Sequence, residues 1–349
     1  MHNTITSEIL VAYSQCPRKA FLLLCTDEPG IQHEYMRILE QQKKRNQINY
    51  LHAFERPSLE EKSHSVTDLN NEGDLVTKAT LKAEGLVAYC DVLTQVESSS
   101  SSHGSIYEPT LVIGTYSISK EQELELAFTG FVLGQMQGKL PVAGHIVKMG
   151  AHADETKLEP YYTVLKPFLD HLRAWLGAAP ADPPPIVLNK HCPSCQFRAL
   201  CREKAEKEDD LSLLDRVTPK VMRRYHKKGI FTVKQLSYLY KPRRNRKQSK
   251  KTTTPHKLEL QALAVRTNKI YIQELPVLSR HSVELFLDIE GIPDQHCYYL
   301  FGLLVYDHSD CSYYPFWADT AQDEECIWHQ FLEKVNAYPE APDLPLWDV

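Results

Sequence analysis

The chain has 349 residues, 42% of them hydrophobic and 24% charged, which is ordinary globular material and enough for two or three packed domains. A net charge of −5 gives no global field that would attract nucleic acid, so any such binding has to come from local patches. The opening MHNTITSEILVAYSQCP has no basic region followed by an apolar one, and the longest apolar runs, such as Tyr298 to Tyr306, are strand-sized. The expectation is a soluble cytoplasmic protein without a membrane partner.

In chain order, residues 6 to 25 carry a Thr/Ser cap signal and apolar residues at near-helical spacing, interrupted at Cys16-Pro17, which predicts two short helices. Residues 33 to 55 lack Gly and Pro and read as one long polar-faced helix. LKAEGLVAYCDVLTQVE reads as two strands around Gly85, SSSSSHGS as a low-complexity loop and YEPTLVIGTY as a further strand. The next stretch opens on a serine cap and sets Leu124, Ala127, Phe128, Phe131 and Val132 along one helix face. LPVAGHIVKMG predicts a strand, YYTVLKPFLDHLRAWLG a helix, and AAPADPPPIVLN an extended connector. Residues 211 to 240 show two short helices capped at Thr218 and Thr232 around a turn at Lys228-Gly229. KPRRNRKQSKKTTTP has seven Lys or Arg among residues 241 to 251 and reads as a flexible linker. Beyond it KIYIQEL, VELFLDIEG and CYYLFGLLVYD predict strands, and EECIWHQFLEKVNAY a helix.

Nine cysteines, odd in number and clustered, suit a reducing compartment and metal ligation better than a disulfide framework. Cys192, Cys195 and Cys201 form a C-x2-C-x5-C group, with Cys16 far upstream. Three close thiols and one distant partner make a clamp for a metal centre, because soft thiolates suit zinc or iron–sulfur. Spacing alone does not choose between them, and His191 beside Cys192 keeps zinc open.

The order of helix, strands, helix and cysteine clamp resembles the RecB-like iron–sulfur nucleases of the PD-(D/E)xK superfamily over residues 1 to 207. The resemblance implies a 4Fe-4S cluster on Cys16, Cys192, Cys195 and Cys201. It also implies a nuclease core in which two carboxylates hold Mg2+ or Mn2+ and a lysine orients the attacking water. Asp91 in AYCDVL stands where the first acid belongs and Glu108 in YEPTLVIG where the second could. With Glu108 as the acid the lysine position holds Thr110; with Tyr107 matched to the family's strand-opening tyrosine, the acid and lysine positions hold Leu111 and Ile113. The motif is incomplete either way, and the active site of the first module is expected to have decayed. Lys120 reads as a surface charge, Glu125 and Thr129 stand where many relatives have glutamine and tyrosine, and His33 or His52 are the candidates for an upstream histidine.

The helix pair looks like a helix-hairpin-helix module, which grips nucleic-acid backbone through hairpin amides and flanking cations. Arg243, Arg244, Arg246, Lys247, Lys250 and Lys251 would add salt-dependent phosphate attraction. In VELFLDIEG, alternation puts Asp288 and Glu290 on one face of what reads as a buried strand, and two carboxylates forced together repel unless a divalent metal joins them. That stretch and the following strand resemble the opening of an RNase H-like exonuclease domain. Asp319, Asp323 and Glu324 read instead as a loop and a helix N-terminus.

The expected architecture is α/β. A PD-(D/E)xK-type core closed by the four-cysteine cluster spans residues 1–207, a helix-hairpin-helix-like module 208–240 and a basic linker 241–256. An incomplete RNase H-like domain follows at 257–349. The expected function is metal-dependent hydrolysis of DNA, with RNA as the alternative polymer and a helicase as a partner or fused domain. The competing expectation is a non-catalytic nucleic-acid-binding scaffold with a structural iron–sulfur or zinc centre.

Overall fold

A computed structural model describes residues 4–52, 62–64, 75–96, 106–150, 153–178, 183–241, 257–272, 281–292, 297–307 and 310–338. The chain forms two compact units, Met1–Tyr271 and Ile272–Val349, both mixtures of helix and sheet.

The first unit is built on a sheet of the order β2-β3-β4-β5-β6-β7: Lys62–His64, Leu75–Ala83, Leu86–Val96, Ile106–Val112, Ala143–Val147 and Ala153–Lys157. A two-residue strand β1, Ile5–Thr6, pairs in parallel with β4. The β3–β4 and β4–β5 pairs are antiparallel, whereas β5 and β6 run parallel through a crossover helix, Lys120–Gln137.

Three helices open the unit. Helix α1, Ser7–Gln15, begins where the Thr6 hydroxyl accepts the Ile9 amide, at 3.3 Å. It ends at Cys16 because proline forbids helical geometry to the residue before it, and Pro17 then starts α2, Pro17–Cys25, at its first turn. Cys16 is thus held extended, φ −162°, at the joint between two helices. Helix α3, Glu34–His52, is polar along most of its length and buries Asn46.

The crossover helix α4, Lys120–Gln137, has a capping box between Ser119 and Gln122 and ends at Gly138, whose φ of 77° closes it in the left-handed region. Its sequence predicts one apolar face, yet it is buried nearly all round, Leu126 and Leu133 included, because it is packed between the sheet and helix α5, Glu159–Gly177. Phe128 is wholly buried in this core. Phe128→Ala should therefore cost about 3–5 kcal/mol, checked by urea unfolding of the full chain.

After the proline-containing segment come a short 3-10 turn, Cys192–Ser194, and helix α6, Arg198–Glu208. Helices α7, Pro219–His226, and α8, Val233–Ser237, are capped by Thr218 and Thr232 as expected, with Gly229 at φ 74° in the turn between them. Helix α9, Leu258–Thr267, packs on this pair: Ala262 shares a core with Met222, Tyr225 and Leu236, and the Tyr225 hydroxyl donates to Glu259 at 3.0 Å. Residues 258–267 therefore belong with the helical pair and not with the C-terminal sheet to which the sequence assigns them. KIYIQEL is not a strand over 269–272; its remainder, like the serine loop and the basic run 242–256, lies outside the described residues.

The second unit is an antiparallel meander, β8 Val283–Ile292, β9 Cys297–Asp307 and β10 Asp310–Trp317, followed by helix α10, Glu324–Asn336. The helix covers one face of the sheet, where Val283, Phe301, Leu303, Val305, Ile327 and Phe331 form the core. On the opposite face Phe286, Tyr313 and Trp317 are exposed.

Candidate functional site

Three clusters carry the residues singled out in the sequence. The first is the cysteine group. Cys16, Cys192, Cys195 and Cys201 all line one pocket, with Arg18 and His191 in its wall. The chain is tied there across more than 160 positions: the Asn189 side chain donates to the Gln15 carbonyl at 3.2 Å, and Arg18 Nη1 to the Pro184 carbonyl at 2.7 Å. The Asn189 amide points at Cys192 Sγ, 3.2 Å away. Burial pushes the Cys192 and Cys201 thiols up, while Arg18 beside Cys201 pulls the other way. None of the nine cysteines is in a disulfide.

Four sulfurs lining one pocket are the donor chemistry a thiolate centre uses. Arg18 is buried and its Nε has no partner, so a donor and a positive charge stand ready in the wall of a four-sulfur pocket. Among the described residues, however, no three His, Cys, Asp or Glu side chains are placed to hold one metal ion. Four sulfurs about 2.3 Å from a common ion would require the thiols to close in.

The second cluster surrounds Asp91. Gln47 Nε2 of α3 donates to Asp91 Oδ1 and the Val112 amide to Oδ2, both at 2.7 Å. Lys43 of α3 meets Glu125 of α4 at 3.4 Å, and both are charged neighbours of Asp91. Burial raises the Asp91 pKa, against the lowering pull of the Val112 amide and Lys43. Burial also acts to lower the Lys43 pKa, but Glu125 and Asp91 together leave it raised.

Glu108 is not part of this group. It lies opposite Thr94, three residues or roughly 10 Å of strand beyond Asp91. There it pairs with His145 of β6 at 3.7 Å, and burial raises its pKa more than His145 lowers it. Leu111 and Ile113 point into the apolar core. Asp91 and Glu108 are thus separated, and the pair does not fit a shared divalent ion. Lys43 and Gln47 escape a sequence reading because the nuclease motif places its lysine on the strand, whereas helix α3 brings these residues in from about 50 positions upstream. His33 and His52 mark the two ends of that helix, and Lys120 is exposed at the first turn of α4.

The third cluster is on β8. Asp288 lies opposite Gly302 and Glu290 opposite Leu300, and both side chains are exposed, on the face away from α10. The sequence predicts a buried strand; among the described residues it is instead an edge strand covered on one side only, with Val283, Leu285 and Leu287 turned inward. A register shift between Glu290 and Gly291 interrupts the regular pairing next to the acids. Gly302 leaves room for the Tyr313 phenol, since a Cβ there would stand 2.7 Å from Tyr313 Oη. Asp323 is committed elsewhere: its carboxylate accepts the Thr320 amide and hydroxyl, at 3.0 and 2.7 Å, at the start of the last helix.

The helical pair offers less to a phosphate backbone than its resemblance implies. The amides of Lys228, Gly229 and Ile230 donate to Tyr225 and His226 carbonyls, so the hairpin amides are used internally and only cations such as Lys227 and Lys228 face outward.

Residues 285–347 match the family model described as the RNase_H superfamily. The second unit therefore carries an RNase H-like domain, and Asp288 and Glu290 fall inside the matched stretch. Such a domain points to nuclease-type hydrolysis of nucleic acid. No curated protein matches the chain. No helix among the described residues is long and apolar enough to cross a membrane.

Proposed function

We propose that the protein is a divalent-metal-dependent nuclease that hydrolyses DNA, with Asp288 and Glu290 as its metal-holding acids. The observation that carries this reading is the placement of two carboxylates, two residues apart, on the open face of a strand inside the RNase H-superfamily match. Mg2+ or Mn2+ held there would supply an activated water and charge stabilisation at the leaving oxygen. The chain's own contribution is to fix both acids on one face by strand alternation and to flank them with exposed rings, Phe286, Tyr313 and Trp317, on which bases can stack. Cys16, Cys192, Cys195 and Cys201 would close the first unit around a 4Fe-4S cluster, with zinc as the competing occupant. The basic run Arg243, Arg244, Arg246, Lys247, Lys250 and Lys251 would supply phosphate attraction.

The decisive assay uses anaerobically purified full chain, labelled single-stranded DNA, duplex DNA and RNA, and added Mg2+ or Mn2+. Cleavage of DNA that disappears in Asp288→Ala supports the reading; cleavage that survives in Asp288→Ala and Glu290→Ala overturns it. The basic run has its own test. Exchanging its six Arg and Lys for Gln should flatten the plot of log affinity against log salt by about 0.7–0.9 for each phosphate that is no longer neutralised.

A second reading is a scaffold that binds nucleic acid without cutting it. The observation favouring it is the Asp91 cluster, where both carboxylate oxygens already have protein donors, while neither strand alignment, Glu108 with Thr110 or Leu111 with Ile113, supplies both an acid and a lysine. Binding without cleavage by the full chain, under every metal condition, would select the scaffold.

A further inference from the structure

A nuclease core of the kind the first unit resembles would hold a divalent ion between carboxylates near Asp91, and the residues present do not fit that role. What stands there instead is a complete set of protein partners. Asp91 receives an N–H on each oxygen, Gln47 Nε2 on Oδ1 and the Val112 amide on Oδ2, both at 2.7 Å. Glu125, the other nearby acid, is met by Lys43 at 3.4 Å, and both side chains are about one-third exposed or less. Two carboxylates in a half-buried site repel each other unless a cation stands with them. Lys43 is that cation.

The position of Lys43 is fixed by backbone, not only by charge. A Cβ on Gly114 would lie 2.5 Å from the Lys43 amide nitrogen and 2.7 Å from the Leu39 carbonyl oxygen, so glycine just past β5 lets the α3 backbone lie directly against the sheet. One turn on from Lys43, the buried Asn46 donates to the Ile113 carbonyl at 2.7 Å. Lys43, Asn46 and Gln47 therefore form one stripe of α3 that docks on the ends of β5 and β6 and on the Asp91–Glu125 pair.

We infer that Lys43 is the resident cation of the Asp91–Glu125 cluster, its ammonium taking the charge-neutralising place of a divalent ion, so that the cluster is a metal-independent latch seating α3 on the sheet. An ion could enter only by displacing a side chain whose helix is pinned on both sides. This assignment is independent of where the protein cuts nucleic acid.

The test uses the full chain carrying Asp288→Asn and Glu290→Gln, which removes the carboxylates of the second unit from the measurement. In that background Mn2+ binding is followed by electron paramagnetic resonance and unfolding by thermal melts. The expected results are no Mn2+ site that depends on Asp91, a melting temperature lowered by several degrees in Lys43→Met, and most of that loss recovered in Lys43→Arg. Should Lys43→Met fail to fold, Glu125→Gln takes its place, with a smaller fall in melting temperature and the same indifference to Mn2+. A Mn2+ site that Asp91→Asn abolishes overturns the inference. So does a melting temperature unchanged by Lys43→Met, or metal-dependent cleavage by the background protein that Lys43→Met removes.

Discussion

Asp288→Ala and Glu290→Ala are each expected to lower metal-dependent DNA cleavage by at least about a hundred-fold, since even the outer-shell partners of metal ligands cost 10–100-fold when removed. The two substitutions should be strongly non-additive, because either one would break the proposed shared metal site. Stability should hardly change: both side chains are exposed on the face away from α10, and neither belongs to the core of Val283, Phe301, Leu303 and Phe331. That contrast gives the experiment its meaning. Loss of cleavage with an unaltered melting temperature places the defect in chemistry, whereas a parallel fall in both would assign the acids a structural part. Metal titration provides the complementary measurement, with the activating Mn2+ concentration rising in Glu290→Gln, which keeps shape and removes charge. Gly302→Ala offers a graded control, since the added Cβ would push the Tyr313 phenol from its place beside the Asp288 row and should reduce cleavage less than removal of either acid.

How much of this is legible in the sequence follows from how far apart the deciding residues lie. Local rules are enough where the determinant is local. Pro17 breaks α1 from α2, Thr218 and Thr232 cap their helices, and Gly85 turns β3 into β4. Alternation puts Asp288 and Glu290 on one face correctly, but cannot tell that the face is open, because burial depends on what covers the sheet and not on strand period. Apolar periodicity gives α4 one buried face, where the packing of α5 above it buries nearly all of it. The Asp91 site is the least legible. Its partners Lys43 and Gln47 sit on a helix that reads as polar-faced, so that nothing in its pattern announces a polar docking stripe, and Gly114 leaves room for the approach. The weak strands β7 and β10 escape for a related reason: ADETK and DCSYYPFW lack the apolar alternation of a half-buried strand and are recruited by their neighbours β6 and β9.

If the four-cysteine pocket holds the proposed metal centre, Cys201→Ser, and equally Cys16→Ser, is expected to abolish metal binding by the first unit and to leave that unit largely unfolded under conditions where the parent chain is native. The reason lies in linkage. The four thiols come from two segments separated by more than 170 residues, yet they line one pocket, and apart from Asn189–Gln15 and Arg18–Pro184 few hydrogen bonds among the described residues join those segments. A centre bound across such a gap contributes its binding free energy to folding, about 10 kcal/mol or more for structural zinc in small peptides. That exceeds any single core substitution in the unit. Chelation of the parent chain should reproduce the effect, and metal with sulfide restored under anaerobic conditions should reverse it. Iron and sulfide in equal amounts with a broad visible absorption would identify the cluster, one colourless zinc the alternative. Metal-free protein melting at the same temperature as the loaded form would rule out the clamp and leave the pocket as four reduced thiols. Arg18→Gln sharpens the reading further, because its unpartnered buried Nε has no other evident use. If the thiolates carry a net negative centre, losing the guanidinium should lower both the metal retained after chelation and the midpoint potential of an iron–sulfur cluster, since the more negative reduced state loses the larger share of stabilisation.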